Sequence, residues 1–278
     1  MIKLHKHIFF IPLFICLTAI TSGCCLTRHF LYVNNPDIST LKKAPSGIET
    51  VSLHLKDGST VEAWLKTTSS SEDPVLIFFY GNAQSLHGLY QKSIFSKFNS
   101  YHCHMISIDY PGYGNSEGPA NDKRLIEAGE QCLKWVKNRF PNNPIIVSGW
   151  SLGSGVAVQV AKNDNNVCGL LLYSPYSSLK NAAKVNFWDP LVNLFLWDNF
   201  DSVADADKIL CPSLIIHGKN DRIVPSSQGK MLSQQLKNCR FVEIDGTGHE
   251  NIFDPQESRD ALKDFISSIN TKFAKSGE

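Results

Sequence analysis

Short, continuously apolar runs recur along this chain with amphipathic stretches between them, and this alternation limits the fold more than any other feature. The runs are Val75 to Tyr80, Met105 to Tyr110, Ile145 to Ser148, Leu170 to Tyr173, Leu214 to His217 and Phe241 to Ile244. Each has the length of a strand and lacks polar alternation, as expected of strands covered on both faces of a parallel sheet. Between them, Asp122 to Arg139, Leu152 to Lys162, Ser226 to Leu236 and Pro255 to Phe273 carry helical spacing. Strand and helix taken in turn predict an α/β fold with a mostly parallel, doubly wound sheet. Glu49 to Leu55 and Val61 to Lys66 alternate apolar with polar residues around Asp57-Gly58, which predicts an antiparallel hairpin at the start of a sheet of about eight strands.

One connection breaks the rhythm. About forty residues, Ser174 to Leu210, separate two strands where the other spacings are about twenty to thirty. Phe187, Trp188, Leu191, Val192, Leu194, Phe195, Leu196, Trp197 and Phe200 must bury their surface against something. Two readings stand: a helix packed on the core, or a small lid over an apolar pocket around residues 179–204.

The N-terminus is a separate unit. Lys3 and Lys6 precede an apolar stretch from Ile8 to Leu17 that fades through small residues into Cys24 and Cys25, the layout of a secretory signal. At roughly half of the ~20 residues a membrane span requires, the stretch is short, although extension to Leu26 keeps a signal anchor open. Ser22-Gly23-Cys24 resembles the cleavage box of bacterial lipoproteins, which implies lipid attachment at Cys24; Thr21 departs from that box, which usually has Leu there. The expected organisation is a signal peptide or anchor over residues 1–24, a tether over 25–48 and the α/β domain over 49–275. This predicts an exported protein anchored at a membrane, in a bacterial envelope facing the periplasm or exterior. Export permits disulfides among the 8 cysteines, and Cys211 with Cys239 is the pair to test, against the alternative of buried thiols.

With 27 basic and 26 acidic residues the formal charge is +1, so there is no electrostatic footprint for nucleic acid. His102 and His104 flank Cys103 without an acidic cluster, and neither a zinc-protease helix motif nor a phosphate-binding glycine loop is present; no metal and no cofactor are expected.

Chemistry is concentrated in three loops. Gly149-Trp150-Ser151-Leu152-Gly153 lies between the run Ile145 to Ser148 and the helical stretch from Leu152. A serine held on such a strand-to-helix turn projects its hydroxyl at the carboxyl edge of the sheet, and flanking glycines are required because a Cβ there would strike backbone. Asp221 follows the run Leu214 to His217, and His249 follows Phe241 to Ile244, so a nucleophile, an acid and a base appear in that chain order. A serine hydroxyl is a weak nucleophile unless a base removes its proton, and a carboxylate must hold the imidazole in the right tautomer. Asp201 and Asp245 compete with Asp221 for that role, but only Asp221 stands just past a strand end of the right kind. Two oxyanion donors are expected: the N–H of Leu152 and the N–H of Asn82 in the turn Gly81-Asn82-Ala83, with Ala83 as second choice.

With the elbow, Gly81-Asn82-Ala83, the segment Asp109 to Gly118 and His217-Gly218 through Pro225 in order, the chain resembles the α/β-hydrolase superfamily from roughly Glu49 to the end. It is similar to the branch that includes protein depalmitoylases and bacterial lipoprotein-like members. That resemblance implies a serine hydrolase acting on an ester or thioester but says little about substrate; the apolar insertion and the membrane tether together suggest acyl chains, so acyl lipids, lysolipids or acylated proteins are expected ahead of small polar esters. Peptidase or amidase activity on the same triad, or a non-catalytic binding lipoprotein, are the alternatives. Tyr80 departs from the family, which usually has His before the glycine and shapes the oxyanion turn with it. The segment Asp109 to Gly118 is read as a structural turn behind the site.

Overall fold

A computed structural model describes residues 32–33, 43–185 and 200–276, with Asp189, Val192 and Leu196 between the last two ranges. The expected signal, Cys24 and most of the tether lie outside the described residues. Among the described residues no helix is long and apolar enough to cross a membrane.

Eight strands form one sheet: β1 (Glu49–His54), β2 (Thr60–Lys66), β3 (Val75–Phe79), β4 (His104–Ile108), β5 (Ile145–Trp150), β6 (Gly169–Tyr173), β7 (Ser213–Gly218) and β8 (Cys239–Ile244). Their spatial order is β1-β2-β4-β3-β5-β6-β7-β8. The β1/β2 and β2/β4 pairs are antiparallel, and the rest are parallel. Every residue of β3 through β7 is buried, as their unbroken apolar character predicts, whereas β1 and β8, at the two edges, alternate or stay partly exposed.

The helix Leu152–Asn163 is buried from Leu152 through Ala161, packed on the sheet and against the helix Asp122–Arg139, which also lies on the sheet. Asn121 caps the latter by accepting from the N–H of Arg124 (3.0 Å). Two six-residue helices, Leu86–Gln91 and Ile94–Asn99, occupy the β3–β4 connection. At that length neither displays a helical period in sequence.

The long insertion leaves and re-enters the fold through one pinched base. Leu179 N–H donates to Phe200 C=O (2.8 Å), Val203 N–H to Ser177 C=O (3.0 Å), and Ser178 bridges Asp201. The helix Leu179–Lys184 begins it; Val192, Leu196 and Phe200 are buried in the core. Phe187, Trp188, Leu191, Leu194, Phe195 and Trp197 lie outside the described residues.

Two expectations change. The lead-in is more than a tether at Tyr32 and Val33: Tyr32 is buried in the core, and Val33 N–H donates to Asn82 Oδ1 (3.0 Å). Cys211 and Cys239 carry free thiols, because the β7/β8 register sets Cys239 beside Ser213 and not beside Cys211.

Candidate active site

The strand order turns back on itself at β3 and β5, since β4 lies to one side of β3 while β5 to β8 extend on the other. Loops leaving the carboxyl ends of strands flanking such a point diverge and leave a crevice, where open α/β sheets bind ligands. Ser151 leaves β5 at this place, and Gly81 leaves β3 beside it: a Cβ on Gly81 would sit 3.3 Å from Ser151 Cβ.

Ser151 has φ 53° and ψ −117° and stays half-exposed at the head of the helix Leu152–Asn163. A non-glycine residue in this conformation is strained by an amount on the order of 1–3 kcal/mol, held there by its surroundings. Those surroundings explain the flanking glycines. A Cβ on Gly149 would collide with the backbone of Gly153, and one on Gly153 with the carbonyl oxygen of Phe79 at the end of β3. Leu152, first in the helix, offers a backbone N–H with no acceptor inside the helix.

His249 and Asp221 meet on the same edge. His249 Nδ1 lies 2.6 Å from Asp221 Oδ2, both residues being buried. The other oxygen, Oδ1, accepts from the N–H groups of Ile223 (2.9 Å) and Val224 (2.8 Å). Burial acts to raise the Asp221 carboxyl, but hydrogen bonds from His217, His249 and Val224 N–H, and the attraction of His249, hold it far below the usual carboxylate range. An ionised acceptor here places the His249 hydrogen on Nδ1 and leaves Nε2 as the basic nitrogen. The ring of Trp150, the residue before Ser151, lies 5.6 Å from that of His249 and brings the β8 loop against the elbow. Asp201 instead caps the helix Ser202–Asp205 by accepting from Ala204 N–H (3.1 Å), and exposed Asp245 pairs with Lys219 (2.7 Å).

The turn after β3 is held from behind. Asn82 Oδ1 accepts from Tyr113 O–H (2.7 Å) as well as from Val33 N–H. Tyr80 O–H donates to Asp109 Oδ1 (2.8 Å), which also accepts from Leu86 N–H (2.9 Å). Tyr110 O–H donates to the carbonyl of Tyr80 (2.8 Å). Asp109 is buried, and burial pushes its carboxyl above the ordinary range against these donors. The Asp109 to Gly118 segment is therefore a brace for the turn, with Tyr80 bonded to a carboxylate where the family usually has His.

Sequence reasoning did not single out His217 or Trp150 as parts of the site. Both stood inside quoted motifs, but only packing reveals that each touches a triad candidate. His104, weighed as a metal ligand, stacks on Phe140 with ring centroids 4.9 Å apart and accepts from Thr68 N–H at Nδ1 (3.1 Å). Among the described residues no group of three or more His, Cys, Asp or Glu could hold a metal ion.

Sheet order, elbow and motif order together define the class: the chain has the α/β-hydrolase fold, and residues 74–198 match the family model for the alpha/beta hydrolase fold. Among proteins it is similar to lysophosphatidylserine lipase ABHD12 of Xenopus tropicalis, 27% identical over 233 residues that cover 74% of this chain and 60% of the relative. The chain thus spans about 60% of the length of that relative. An uncharacterized protein of Mycobacterium tuberculosis is 26% identical over 259 residues, 86% of this chain and 87% of the relative. Among solved structures, the esterase Pf2001 of Pyrococcus furiosus shares the fold with a TM-score of 0.69 at 19% identity, covering 85% of this chain and 99% of that one.

Proposed function

We propose that this protein is a serine hydrolase that cleaves carboxylic esters or thioesters through an acyl-Ser151 intermediate. One observation carries the reading: a strained, accessible serine shares a sheet edge with a buried imidazole–carboxylate pair bonded at 2.6 Å. In this mechanism His249 Nε2 accepts the Ser151 proton as Oγ attacks the carbonyl carbon. Asp221 Oδ2 stabilises the imidazolium, and the N–H groups of Leu152 and Asn82 receive the developing oxyanion. Collapse breaks the bond to the alkoxide or thiolate, which leaves with the proton from His249. A water molecule, deprotonated by His249, then attacks the acyl carbon, releasing the carboxylic acid and restoring Ser151.

For the substrate we infer an acyl chain, as in a lipid, a lysolipid or an acylated protein. Supporting this are the apolar insertion over residues 179–204, read as a lid, and the similarity to lysophosphatidylserine lipases. We further propose that the protein is exported and held at a membrane through its N-terminus, with lipid on Cys24; Cys24→Ala should then leave the membrane fraction.

A fluorophosphonate probe applied to wild type and Ser151→Ala, followed by p-nitrophenyl esters of increasing length and lysophospholipids, tests the reading. Labelling confined to the wild type, with preference for long acyl groups, is expected. Folded wild type that takes no label overturns the hydrolase reading, and efficient cleavage of short esters alone overturns the substrate class.

A further inference from the structure

His217 is a fully buried imidazole near the end of a strand buried along its whole length, a position where a polar ring is costly unless its hydrogen bonds are met. Its Nε2 lies 2.8 Å from the carbonyl oxygen of Val224 and 3.4 Å from Asp221 Oδ2. Both neighbours are acceptors, so the hydrogen belongs on Nε2, donated chiefly to Val224 and secondarily to the carboxylate. Nδ1 is left without a partner, and no acceptor waits there for a second hydrogen.

The atom His217 approaches, Asp221 Oδ2, is the one that receives the His249 hydrogen. The loop Asp221 to Val224 is consequently closed on both sides. Its own amides from Ile223 and Val224 hold Oδ1, while His217 ties the Val224 carbonyl, and with it the carboxylate, to the rigid end of β7. Gly229, on the helix Ser226–Gln235, keeps the space for this ring: a Cβ there would run into His217 Nδ1.

We propose that His217 is a positioning residue of the hydrolytic site, holding the acid Asp221 at the angle from which Oδ2 receives His249. This rests on the hydrolase reading above. The geometry also specifies which replacement should serve: glutamine can carry an N–H to the place of the imidazole Nε2, whereas leucine fills the space with no donor.

The test uses the full-length protein as wild type, His217→Leu, His217→Gln and Gly229→Ala, with thermal unfolding of each to establish that it is folded. In histidine-labelled protein, the His249 Nδ1 proton should give a downfield signal in the wild type and in His217→Gln. It should fade or move upfield in His217→Leu and Gly229→Ala. For ester turnover, kcat should drop about 10- to 100-fold in His217→Leu with KM held within about 2-fold, and glutamine should restore most of it. An unchanged proton signal and kcat in folded His217→Leu overturns the proposal, as does a glutamine variant no better than leucine. If the wild type turns over no ester, the hydrolase reading fails by itself, and the proton signal still decides whether His217 positions Asp221.

Discussion

Asp221 Oδ2 and His249 Nδ1 lie 2.6 Å apart although 28 residues separate them in the chain. The two loops that carry them leave β7 and β8, neighbouring parallel strands whose carboxyl ends necessarily fall on one edge of the sheet. If this contact orients a catalytic base, Asp221→Asn should lower kcat by about 10⁴ with little change in KM, because the amide favours the wrong tautomer of His249. Ser151→Ala should cost about 10⁶. Steady-state kinetics on one ester, with matched circular dichroism, checks both; an asparagine variant within about tenfold of wild type would remove Asp221 from the mechanism.

Tyr80→Phe should destabilise the fold by about 1–3 kcal/mol, since it leaves the buried Asp109 carboxyl without its phenolic donor. The same change loosens the turn that carries Asn82, so kcat should fall along with stability. Urea unfolding monitored by tryptophan fluorescence gives the first quantity and ester turnover the second.

Gly153→Ala forces a Cβ into the Phe79 carbonyl, and neither backbone can retreat without breaking the β5–helix junction. Loss of at least about 3 kcal/mol, or no soluble protein, is expected. Gly246→Ala is the control: φ is +68° there but nothing lies within 4 Å, so only the left-handed backbone is strained, at about 1–2 kcal/mol. Equal melting temperatures for the two variants would contradict the collision.

Asp205 supplies a pH prediction away from the site. Burial raises its carboxyl, but hydrogen bonds from Lys162, Lys208 and Gln159 prevail and hold it at about 2, below the ordinary 3.8. A depressed folded-state value means that the unfolded chain binds more protons between these limits. The stabilisation is therefore complete above pH 3.8 and disappears as pH falls towards 2. Melting temperatures of wild type and Asp205→Asn should differ at pH 6 and converge on acidification. A gap that stays constant down to pH 2 would rule out this linkage.

How far the sequence could be read depended on how local each signal is. The unbroken runs Val75 to Tyr80 and Leu214 to His217 declared buried parallel strands because both faces of such strands meet apolar partners, and the elbow glycines announced a close backbone approach whose partner, Phe79, was invisible. The helices Leu86–Gln91 and Ile94–Asn99 escaped because six residues are too few to show a period. Tyr32 and Val33 looked like tether because their partners, the core and Asn82, lie far along the chain.

By itself the sequence determined the fold class, the order of nucleophile, acid and base candidates, and the loops that bear them, since periodicity, turn chemistry and chain order are written in consecutive residues. Only the tertiary structure decided which oxygen of Asp221 meets His249, that a second imidazole, His217, approaches the same oxygen, and that Tyr80 is bonded to Asp109. These are contacts across strands and loops. They depend on sheet register and on where each loop turns back, geometry that forms only when the β-strands are assembled side by side.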